Sequence, residues 1–276
     1  MALPPFHVHV DVLIVLGGLA GFYLTAAGRH ERETGEALAP RRRRMFLGGV
    51  AALLVGATWP VHDLAESYLY SMHMVQHMLF TFLGAPLLLA GTPAWMWRAL
   101  LRPAPLRAVW SLLTRPLVAL IVANGVLLLT HWPEIVELSV GSELAHFSLH
   151  TLLLGSAIVM WWPVLSPLPE LPSLSPPGQM LYLFFQSLAP TIPASFLTFG
   201  TSPLYPVYAG FPRIWGIDPL SDQLIAGLVM KLVGGAVLWV VIAVVFFRWG
   251  HKEQTEGWDE LKFRNVEREI RSELRR

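Results

Sequence analysis

The sequence predicts an all-α polytopic membrane protein with seven transmembrane helices, its N-terminus outside and its C-terminus cytoplasmic. Three observations carry this prediction. Of 276 residues, 54% are hydrophobic and 14% charged, with a mean hydropathy of +0.52. The apolar residues gather into seven runs, and a helix of ~20 mostly apolar residues is what a ~30 Å hydrocarbon core requires. Eighteen of twenty Lys and Arg residues fall in 29–44, 93–115 and 248–276, segments that alternate crossing places on one side. Only Arg213 falls opposite, and Lys231 lies inside a run. Such an excess marks the cytoplasmic face.

The runs follow in order. Residues 8–28 are apolar with no Lys or Arg before them and Arg29 just after, the reverse of a cleavable signal peptide, so this run is read as a retained helix. The second, 45–61, ends at Trp59-Pro60-Val61-His62-Asp63. The third, Tyr68 to Ala90, carries no acidic or basic residue except His73 and His77. The fourth, 116–132, is short and ends at His131-Trp132-Pro133; an acidic loop with Glu134, Glu137 and Glu143 follows. The fifth, 144–165, opens with His146 and His150. The sixth, 179–200, contains Pro190 and Pro193, and the seventh, 221–249, contains Lys231. Residues 1–251 are thus expected to form the membrane domain, and 252–276 a charged cytoplasmic tail. In that tail Trp258, Lys262, Val266, Ile270 and Leu274 repeat every four residues, the pattern of an amphipathic helix.

Ionisable side chains inside a span are costly and by default mark function. His73 and His77, spaced by four, share a helix face, as do His146 and His150. The predicted orientation puts eight of ten histidines on the outer side: His7, His9, His62, His73, His77, His131, His146 and His150. Imidazoles at one depth on several helices suit a metal or haem site in a bundle. The expected ligands are His73, His77, His146 and His150, with His131 from the fourth run and Asp222 as a carboxylate orienting an imidazole. Met72, Met74 and Met78 lie nearby, and thioethers add a preference for Cu(I). Cysteine is absent, so disulfides and thiolate sites are excluded. Few carboxylates lie near the histidines, which argues against a di-iron carboxylate centre. No His-Glu-x-x-His motif or nucleophile–base pair occurs, so no enzyme activity is expected, and no nucleic-acid partner either.

Several blocks resemble a known family. His73-Met-Val-Gln-His77-Met, Ala85-Pro86, and Gly91-Thr-Pro-Ala-Trp95 look like the signature of the multi-span CtaG family of cytochrome c oxidase assembly factors. The likeness continues through His131-Trp-Pro133, Glu143-Leu-Ala-His146-Phe-Ser-Leu-His150 and Trp161-Trp-Pro163. It extends to Leu197-Thr-Phe199, Pro203-Leu-Tyr-Pro206, Arg213-Ile-Trp-Gly216 and Asp222-Gln-Leu-Ile-Ala-Gly227-Leu-Val-Met230. Lys231 departs from the pattern, which commonly has an aromatic residue there. The resemblance implies a role in maturing a haem–copper oxidase by handling copper on the outer face. It also implies oxidase subunits as partners and a multi-pass site in the bacterial plasma membrane. Two other classes are weighed. A b-type haem protein would use one histidine from each pair as axial ligands. A transporter would use Lys231 and Asp222 as a relay, but no inverted repeat or pair of broken helices supports it.

Overall fold

The computed structural model describes residues 3–273, with side chains described as far as Thr255. Every regular element among these residues is helical: α1 (Val10–Thr34), α2 (Pro40–Ser67), α3 (Tyr70–Gly91), α4 (Ala94–Leu100), α5 (Ala104–Leu113) and α6 (Pro116–Thr130). These are followed by α7 (Pro133–Gly141), α8 (Glu143–Leu165), α9 (Pro176–Phe199), α10 (Pro206–Ala209) and α11, which begins at Pro219 and runs to Glu273. Pro40, Pro116, Pro133, Pro176 and Pro219 each open a helix, where a missing N–H costs nothing because the first-turn donors have no helical partner.

Among the described residues, six helices are long and apolar enough to cross a membrane: α1, α2, α3, α8, α9 and α11. The expected fourth span differs. α6 has 15 residues and joins α5 at a bend of 83°, so it completes a seventh crossing only if the bent pair counts as one span. Pro116 is the reason, since it disfavours helical geometry at Arg115 and ends the continuity with α5. α2 also continues past the expected boundary. It pauses at 57–60 and resumes over Val61–Ser67, so His62, Asp63 and Glu66 sit on helix rather than loop. α11 passes residue 252 without a break, its backbone helical through Glu273. The expected apolar stripe of the tail (Trp258, Lys262, Val266, Ile270, Leu274) lies outside the described side chains.

Glycine lets α2 and α3 approach closely. A Cβ at Gly49 would stand 2.9 Å from the backbone nitrogen of Leu88, and one at Gly91 would collide with the backbone of Phe46. The Gly91 carbonyl accepts a 2.9 Å hydrogen bond from the Tyr23 hydroxyl, which ties α1 to the same seam. Small residues at such crossings are how helices pack where lipid removes the hydrophobic drive between them.

α3 widens into a π-helical segment over Leu79–Gly84, one turn below His77. There the N–H of Ala85 reaches the carbonyl of Phe80, five residues back. The next such bond would need an N–H from Pro86, which has none, so the Thr81 carbonyl is freed. The Trp161 indole of α8 donates to it at 2.8 Å. Proline in a span is tolerated when a neighbouring helix supplies the missing donor.

Candidate metal centre

The site begins at the N-terminus of α3. The first N–H groups of a helix lack partners and carry partial positive charge. Asp222 of α11, 1% exposed, accepts from Tyr70 N at 2.7 Å and Ser71 N at 3.0 Å. This carboxylate was expected to orient an imidazole and does not: its oxygens are taken by backbone donors. It acts one step away, fixing the turn from which His73, Gln76 and His77 project.

Opposite, α8 is opened by Ser142, whose hydroxyl accepts from Ala145 N at 3.4 Å. Its first turns carry His146 and His150. The two pairs meet. Ring centroids lie 4.4 Å apart for His73–His77 and 4.1 Å for His146–His150. Between helices they are 5.6 Å for His73–His150 and 5.7 Å for His77–His150. One ligating nitrogen from each of His73, His77 and His150 falls within 4.8 Å of the others. Nitrogens sharing one ion at ~2 Å bonds stand closer than this, so small side-chain shifts close the set. The buried His73 Nδ1 and His150 Nε2 have no hydrogen-bond partner. A buried polar atom without a partner calls for an explanation such as an ion or water. Three convergent imidazoles with open nitrogens fit a metal ion.

His146 turns the other way. Its Nε2 pairs with Glu66 Oε1 at 2.7 Å, and Glu66 Oε2 lies 3.3 Å from His62 Nε2. His62, Glu66 and His146 form a second group of the same compactness. The four-histidine set therefore divides, three rings on one centre and His146 on its neighbour. Sequence reasoning did not single out Glu66, although His62 and Glu66 are spaced by four. Gln76 links the two groups: its amide donates to the Gly56 carbonyl at 2.9 Å and lies 3.2 Å from His62 Nδ1.

His131 ends α6, its ring 5.6 Å from that of His77. Its Nδ1 lies 2.7 Å from the Leu127 carbonyl, which can only accept, so Nδ1 carries the proton and the unpartnered Nε2 keeps its lone pair. The Tyr205 hydroxyl donates to the His131 carbonyl at 2.8 Å. Burial pushes that hydroxyl's pKa up to about 12, so it remains a neutral donor.

A cavity of about 250 Å³ opens onto the site, lined among others by Glu66, His73, His77, Glu143, His146 and His150. A smaller one, about 50 Å³, lies beyond His77 and is lined by Met74, Met78, His131, Met230 and Lys231. Lys231 makes no salt bridge among the described residues, and nine positions along α11 separate it from Asp222, roughly 13 Å of helical rise. The two do not form the relay a transporter would need.

A family model described as cytochrome c oxidase caa3 assembly factor (Caa3_CtaG) matches residues 21–252. No curated protein matches the chain, and no solved structure does.

Proposed function

Since this chain belongs to the cytochrome c oxidase caa3 assembly factor family, we propose that it serves oxidase maturation by holding a copper ion at His73, His77 and His150 and yielding it to an oxidase subunit on the outer face. The observation that carries this reading is the convergence of three imidazoles from α3 and α8, two of them with unpartnered buried nitrogens. A neutral three-nitrogen set suits Cu(I), whose single charge is less costly to bury than that of a dication. Met74 and Met78 line the adjoining cavity and add soft donors close by. The cavity of about 250 Å³ gives an ion and its ligands access. It falls under the ~300 Å³ low end of sites for larger organic ligands, which favours an ion over a porphyrin. Assembly of this kind asks for binding and release of the ion by ligand exchange.

The chain's own residues divide the work. Asp222 sets the α3 terminus, Trp161 and the π segment set the turn below, and His131 stands ready as a fourth nitrogen. In His77→Ala, copper retained by the purified protein and oxidase maturation in cells are both expected to be lost, with protein abundance near wild type. Retention of stoichiometric copper by that variant would refute the site. An intense Soret band in the wild-type protein would move the reading to haem.

A further inference from the structure

The N-terminal segment before α1 is fastened onto the pause of α2 at 57–60 and the turn that follows it. The Trp59 indole donates to the Pro4 carbonyl at 3.1 Å, and the Phe6 ring meets the Trp59 ring edge-on at 5.4 Å. This brings two histidines to one carboxylate. His9 Nε2 lies 2.9 Å from Asp63 Oδ2, and His7 Nδ1 lies 3.9 Å from Asp63 Oδ1. The three ligating atoms lie within 4.8 Å of one another. A single His–Asp pair would be enough to anchor the segment. The second histidine, on the other oxygen and with 69% of its side chain exposed, adds little to anchoring and supplies a third donor.

From this group the rings run inward without a gap. Centroids are 4.7 Å apart for His7–His9, 4.5 Å for His9–His62, 5.5 Å for His62–His146 and 4.1 Å for His146–His150. The line passes through the group of His62, Glu66 and His146 and ends in the buried triad. Along it the donor set changes from two nitrogens and a carboxylate, through a second such set, to three nitrogens. The two ends differ in exposure: His7 stands at the surface, and His73 and His77 are buried.

We propose that His7, His9 and Asp63 form a solvent-facing metal-loading site, from which a copper ion passes through His62, Glu66 and His146 to the buried triad. This rests on the copper reading above. Each step is ligand exchange at constant oxidation state: bonds to the outer donors break as bonds to the next group form, and no electron moves. Anionic carboxylates at the first two stations attract a cation and offset its charge while it sheds water. A neutral last station releases it without having to break a charge pair. The open cavity lined by Glu66, Glu143 and His146 offers a second approach to the triad, one that bypasses His7, His9 and Asp63.

The test is the rate of copper uptake by the full-length protein in lipid nanodiscs, with Cu(I) delivered from a weak chelator and followed by the chelator's colour. In His7→Ala/His9→Ala and in Asp63→Asn, uptake should slow by about tenfold or more, the scale on which losing metal-orienting partners acts. The tightly held copper, that of the buried triad, should equal that of wild type, which also shows that the variants are folded. Wild-type stoichiometry should exceed that of the double variant by one weakly held ion. His7→Ala alone, at an exposed position, repeats the test with the His9–Asp63 pair intact. Uptake at the wild-type rate in these variants would overturn the loading site and leave the triad standing, with the cavity as the route. A wild-type protein that takes up no copper would overturn both.

Discussion

At the residue scale, the fold around the candidate centre depends on polar groups outside its ligand set. Asp222 satisfies two first-turn donors of α3 from a nearly inaccessible position. Replacing it with alanine leaves two buried N–H groups without partners, at ~1–3 kcal/mol for each. Asp222→Ala should therefore lower the thermal midpoint in detergent clearly, while Asp222→Asn, which retains an acceptor oxygen, should fall between. Copper held per folded molecule should be close to wild type in both, because neither change removes a ligand. A normal midpoint in Asp222→Ala would show that the cap does not bear on stability. The role differs from the one the sequence suggested for a reason of geometry. A carboxylate among histidines reads as their partner, yet the nearest donors to Asp222 belong to the backbone of a helix some 150 residues earlier in the chain. Glu66 shows the converse. It stood just past an expected helix end, and only the resumption of α2 after the pause at 57–60 turns it toward His62 and His146.

At the scale of elements, what could be read in the sequence was whatever is local. The four-residue spacing placed His73 with His77 and His146 with His150; across α3 and α8 it is His150 that faces the first pair, while His146 turns to Glu66. The π segment was not legible, because it depends on a donor from Trp161, some 80 residues away, to satisfy Thr81. Nor was the α2–α3 seam, although its glycines were visible. Gly91 sits where any side chain meets the Phe46 backbone, which cannot rotate aside as a side-chain tip would. Gly91→Ala should force the two helices apart and cost about 1–3 kcal/mol or more, as overpacking does. It would also displace the carbonyl that Tyr23 holds. The expected outcome is a lower thermal midpoint and less protein in the membrane. Gly17→Ala is the control, since a Cβ there meets nothing within 4 Å and should be neutral.

At the scale of the whole molecule, eight histidines from the segment before α1, from α2, α3 and α8, and from the end of α6 collect at one end. His30 stays apart, stacked on Trp95 at 4.2 Å. Lys231 lies beyond this cluster on the smaller cavity, so Lys231→Met should leave copper content unchanged; loss of copper with normal insertion would tie the ammonium to the site. How the molecule sits in a bilayer turns on α6. With six crossings the two ends share a side, and with seven they lie opposite. α6 leaves from Arg115, beside the Arg102 and Arg107 segment, and arrives at His131, against His77 of the histidine cluster. It thus connects the basic end of the molecule to the histidine end, covering roughly 22 Å at ~1.5 Å per residue. A short helix can cross by thinning the bilayer at a modest cost per ångström. Placing the arginines of 29–44 and 98–115 outside would run against the charge bias of the whole chain. Seven crossings satisfy both constraints, with the histidines outside and α11 ending inside. A reporter joined after residue 276 is then expected to be active only in the cytoplasm, and one placed before residue 6 only outside. Both reporters on one side would mean that α6 does not cross, and would take the seven-span topology with it.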